Sequence, residues 1–139
     1  MVMTVSTWCW AELGGNKTEP IKDGLSLQRL QLRMTDDQYS VQELTLESGT
    51  VVKEYINASG QVFGVSWHGP FKPDLRLFLG DATLNRLNPS HNHKILDHHH
   101  ASILSHDLII MSRGMGRSFS GKALSPLLAP ASLGIDQIQ

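Results

Sequence analysis

The sequence predicts an α+β fold: an antiparallel sheet built on a three-stranded meander, with one or two covering helices. Three observations lead there. Runs rich in β-branched and aromatic residues occupy 39–46, 50–56 and 61–68. Two turn signals, Glu47-Ser48-Gly49 and Asn57-Ala58-Ser59-Gly60, separate them, and asparagine and glycine tolerate the left-handed backbone such turns use. Apolar residues at helical spacing flank this block on both sides. Runs this close in sequence pair most simply as an antiparallel meander, and its apolar face needs a covering layer.

Taken in chain order, residues 1–22 contain Gly14-Gly15-Asn16-Lys17 and Pro20, which signal loop. Leu27, Leu30 and Met34 recur at helical intervals and Asp23 is placed to cap them, predicting a helix over 23–35. Leu30, Leu32 and Met34 also alternate as a strand would. In the third run, Phe63, Val65 and Trp67 alternate onto one face, with Ser66 and His68 on the other. Gly69-Pro70 ends that strand, since proline has no N–H for a ladder. Pro73 and Asp74 suit a helix start, and Leu75, Phe78, Leu79 and Ala82 carry the helix toward Leu87. Gly80 weakens it by about 1 kcal/mol, and Asn88-Pro89-Ser90 stops it. Residues 91–101 are polar and rich in histidine. A further strand is expected over 103–111, a turn or bulge over Arg113–Gly116, a last strand over 117–124, and an irregular tail.

A chain of 139 residues fits one domain, here 12–139, after a short N-terminal stretch, 1–11. The charged fraction of 18%, with 12 Gly and 6 Pro, favours strands and tight turns over long solvated helices. Twelve Lys+Arg balance 13 Asp+Glu. This lacks the basic surplus that neutralises a phosphate backbone, so no nucleic-acid partner is expected. No apolar run approaches the roughly 20 residues of a transmembrane helix; in the C-terminal half the longest is Leu108–Met111. The single cysteine, Cys9, permits no internal disulfide. Cys9-Trp10-Ala11 has the small-x-small form of a signal-peptidase site, yet no Lys or Arg precedes Lys17. Residues 1–11 therefore read either as a disordered N-terminus or as a signal-peptide remnant.

Seven histidines are the most conspicuous candidates for chemistry. His-x-His on a strand places two imidazoles on one face, so His91 with His93, or His98 with His100, offers a Zn²⁺, Ni²⁺ or Cu²⁺ pair. Against this, the segment has no regular pattern and no cysteine nearby, and reads as a solvated loop with adventitious metal affinity. Ser66, His68 and Asp74 are close enough in sequence to suggest a nucleophilic triad, but there is no Gly-x-Ser-x-Gly elbow, and a half-solvated strand explains Ser66 and His68. Glu43, Glu54 and Asp74 supply carboxylates of the kind any domain carries. Lys53 and Glu54 are adjacent and point to opposite faces. The stretch Arg113–Gly121 lacks both the Walker and the dinucleotide patterns, and its glycines are expected to relieve a bulge. Phe63, Trp67 and Phe71 are candidates for a ligand groove, with core packing the favoured reading. No catalytic residue and no cofactor is assigned. A metal-binding module or metal-dependent enzyme using 91–100 is the alternative to a non-enzymatic role.

Several stretches together resemble the uncharacterised bacterial family catalogued as domain of unknown function 2844. They are Ala11-Glu12-Leu13-Gly14-Gly15, Ser48 to Tyr55, Gly60 to Pro70, Pro73-Asp74-Leu75-Arg76, Asp107 to Ile110, and Phe119 to Ala123 with Pro126. The resemblance runs in order over roughly 11–130 and fades across Asp81–Ser102, which holds most of the histidines. It implies an exported protein in which the Ala-x-Leu-Gly-Gly stretch follows a signal peptide. Cys9-Trp10-Ala11 then becomes the cleavage site, the location periplasmic or secreted, and the role that of an accessory or binding protein with an envelope partner. It assigns no catalytic residue.

Overall fold

The computed structural model describes residues 13–15, 27–36, 38–81, 83, 85 and 100–139. They form a seven-stranded antiparallel sheet: β1 (Leu27–Asp36), β2 (Tyr39–Leu46), β3 (Val51–Asn57), β4 (Val62–Gly69), β5 (His100–Leu104), β6 (Ile109–Met115) and β7 (Ser118–Leu124). The spatial order is β1-β2-β3-β4-β7-β6-β5, so β7 inserts beside β4 and the last three strands run back outward. A short helix, α1 (Leu75–Leu79), and a 3₁₀ turn (Ile135–Gln137) accompany the sheet. The fold is mostly β, which corrects the α+β expectation.

The correction comes from two segments. The helix expected over 23–35 is, from Leu27 onward, strand β1. Leu30, Leu32 and Met34 stand opposite Leu44, Gln42 and Ser40. Both periods were present in the sequence; the alternating one prevails because β2 offers a ladder whose N–H and C=O groups need partners. The helix expected over 73–87 is interrupted. Asp74 is its N-cap, the carboxylate accepting from the Arg76 N–H at 3.1 Å. Gly80 closes it at φ 78°, a left-handed value open to glycine, and Asp81, Thr83 and Asn85 are helical again beyond the break.

The meander is present, with β2, β3 and β4 paired consecutively. In the first turn Gly49 N–H donates to Leu46 O at 2.9 Å, and in the second the Asn57 side-chain oxygen accepts from Ser59 N–H and Gln61 N–H, each at 3.0 Å. Gly49 and Gly60 have φ of 87° and 83°. The register departs from regularity once between β3 and β4, where Tyr55 faces Gly64 but Ile56 faces Val62. Phe63 is the extra residue of this bulge. It is thereby moved to the face opposite Val65 and Trp67, and the expectation that all three share one face is corrected.

Each face of the sheet carries its own apolar cluster. On the first, Leu46, Val52, Val65, Trp67, Ile110 and Ala123 pack under Leu75, Phe78 and Leu79 of α1. On the second, Tyr55, Phe63 and Leu124 surround Ile138 of the tail, with Tyr39, Val41, Ile109, Leu128, Leu133 and Ile135 at the margin. The strand expected over 103–111 is two strands, β5 and β6, turned at 105–108 by Ser105 N–H donating to Leu108 O at 2.9 Å. The expected final strand corresponds to β7, and the β6–β7 turn uses Gly116 at φ 56°.

Candidate functional site

Among the described residues, the tail covers only part of the second face. The Tyr55 hydroxyl donates to Gln139 O and accepts from Gln139 N–H, both at 2.9 Å. Gly64 leaves room for Ile138, whose Cδ1 would stand 2.6 Å from any Cβ at that position. Beyond the tail, two cross-strand rows lie on the same face. One runs Glu43, Lys53, Ser66, Lys122, Met111 and the other Val51, His68, Ser120, Arg113. Residues directly opposite in antiparallel strands share a face, with Cβ atoms about 4.5–5.5 Å apart. These rows therefore bring Lys53, Lys122 and Arg113 onto one face with the exposed Ser120 and the buried Ser66. Glu43 is the acid in the two rows. Lys122 Nζ donates to Ile138 O at 3.3 Å and joins this open half to the tail.

The sequence-derived candidates fare differently. Ser66 and His68 share this face, but Ser66 is buried and Asp74 is committed to capping α1. No hydrogen bond links the three. Glu43 stands opposite Lys53, while Glu54 stands opposite Gln42 on the other face. Phe63 and Trp67 are core residues on opposite faces, whereas Phe71 is 52% exposed. His91, His93 and His98 lie outside the described residues; His100 opens β5 in register with Arg113. Among the described residues no group of three or more His, Cys, Asp or Glu is placed to hold a metal ion.

Two arrangements escaped the sequence reading. Glu54, 1% exposed, accepts from Gln42 Nε2 at 3.2 Å within an otherwise apolar layer, where burial without hydrogen bonding would be costly. Its signal was parity, since Val52, Glu54 and Ile56 alternate along one run. The second is a pairing of rings with glycines. The Trp67 indole lies directly over Gly121, and Phe119 lies over Gly114. Trp67 Nε1 is buried there and has no hydrogen-bond partner among the described residues. The stretch Arg113–Gly121 thus uses two of its glycines to seat aromatic rings, where a bulge was expected.

The family model described as "Protein of unknown function (DUF2844)" matches residues 9–138. The chain belongs to this family. The match includes the open half-face, the ring–glycine pairs and the tail that closes the second cluster. No curated protein and no solved structure matches the chain.

Proposed function

We propose that this chain is an exported, non-enzymatic binding or accessory protein of the bacterial cell envelope, periplasmic or secreted. The observation that carries export is where the fold takes hold of the chain. Gly14 N–H donates to Val62 O and Val62 N–H donates to Gly15 O, both at 2.8 Å, while Gln61 Nε2 donates to Gly14 O at 3.4 Å. Leu13 packs against the first cluster. This anchor begins two residues after Ala11, so cleavage behind Cys9-Trp10-Ala11 leaves every one of these contacts intact. Family membership supports the same reading through the Ala-x-Leu-Gly-Gly stretch. The open half-face supports a binding role, because Lys53, Lys122, Arg113 and Ser120 lie on one face in registered cross-strand rows.

The test is fractionation of the native host followed by N-terminal sequencing of the product. The expected result is an envelope or medium fraction that starts near Glu12 and contains no cysteine. Cytoplasmic protein that keeps Cys9 would contradict the proposal.

A further inference from the structure

We infer that the open half-face docks onto an anionic lipid surface. This rests on the open half-face being a binding surface, and it is independent of export. Along β6 the side chains on this face alternate in character: Met111 is 44% exposed, Arg113 is exposed, and Met115 is 75% exposed. On β5, Leu104 is 80% exposed and stands opposite Ile109 of the second cluster. Lys122 lies directly across from Met111, and Lys53 lies beyond Ser66 in the same row. On β6 exposed Met111 and Met115 therefore flank exposed Arg113, with the half-buried Lys122 and Lys53 in the adjoining row. A lipid surface meets both kinds of side chain at once. Its headgroups take the cations while the thioethers and Leu104 reach the acyl boundary below.

Other occupants satisfy only half of the patch. A soluble polyanion would pair with the cations and leave Leu104, Met111 and Met115 in water. A second copy presenting the same face would oppose two patches that each carry Lys53, Arg113 and Lys122 against Glu43 as the acid in these rows, a net approach of like charge that disfavours association.

Co-sedimentation of the full chain with vesicles tests the inference. Phosphatidylcholine vesicles are compared with vesicles that also contain phosphatidylglycerol, at low and high salt. Binding is expected on the anionic vesicles, weakened by salt. Arg113→Gln should weaken it about fivefold, the equivalent of one surface cation, and Lys53→Gln, at a half-buried side chain in the adjoining row, should weaken it less. Met115→Ser combined with Leu104→Ser should also weaken it, at unchanged melting temperature. Arg76→Gln, at an exposed side chain of α1 on the other face, should leave it unchanged. If the double serine variant misfolds, the two charge variants carry the test. Equal partitioning onto both vesicle types, or binding unaffected by the charge variants, would overturn the inference. So would self-association through this face, or tight binding to soluble polyglutamate that survives the serine substitutions. None of those outcomes bears on the N-terminus of the mature chain, so the export reading stands or falls separately.

Discussion

Gly121 shows how closely single residues are fitted to the sheet. A Cβ there would overlap the Trp67 ring and stand 2.9 Å from Met111 O, with backbone on one side and a buried indole on the other. Neither neighbour can yield, so Gly121→Ala should destabilise the protein by about 1–3 kcal/mol, the cost of overpacking a filled site. Gly114→Ala meets only the ring of Phe119, which is partly exposed and can swing outward, and should cost less. Urea denaturation of the two variants checks the order, and a costlier Gly114→Ala would show that the ring–glycine account is wrong. The sequence displays these glycines but not their partners, because Trp67 and Gly121 are neighbours only through strand pairing. Glu54 was legible in principle, since a carboxylate on the same parity as Val52 and Ile56 announces a buried acid. It was read as ordinary because its partner, Gln42, lies on a different strand.

Among the elements, the meander was the most legible because its turns state themselves locally. Gly49, Asn57 and Gly60 each do the conformational work their residue types suggest. β1 was misread because its leucines fit two periods, and the choice was made by β2, which no local window contains. The bulge at Phe63 was invisible for the same reason: the sequence alternates cleanly, and only the register with β3 reveals the extra residue. The tail is the plainest failure. Leu128, Leu133, Ile135 and Ile138 follow no period, yet they complete the second cluster. Ile138 is fully buried above Gly64, so Ile138→Ala should cost about 2–5 kcal/mol. Leu127→Ala, at a side chain 71% exposed, should stay within about 0.5 kcal/mol of the parent. Chemical denaturation of both variants decides whether the tail is part of the fold or merely follows it; equal, small effects would mean the latter.

For the whole molecule, family membership was legible from motifs spread along the chain, but the fold class was not. The sheet reaches its full width only because β7 returns to β4 across the whole of 70–117, a pairing that local patterning cannot announce. That return makes the two faces unequal. The first is closed by α1, while the second is half closed by the tail and half open with Lys53, Arg113 and Lys122. Lipid docking depends on this asymmetry, because the open half must face outward. Hydroxyl-radical footprinting of the monomer, read by mass spectrometry, tests it most directly. Met115, Met111 and Leu104 should be modified readily, while Trp67, Phe63, Phe78 and Ile138 should be strongly protected relative to their intrinsic reactivities. Ready modification of Trp67 and Phe78, or protection of Met111 and Met115 in the monomer, would contradict the account.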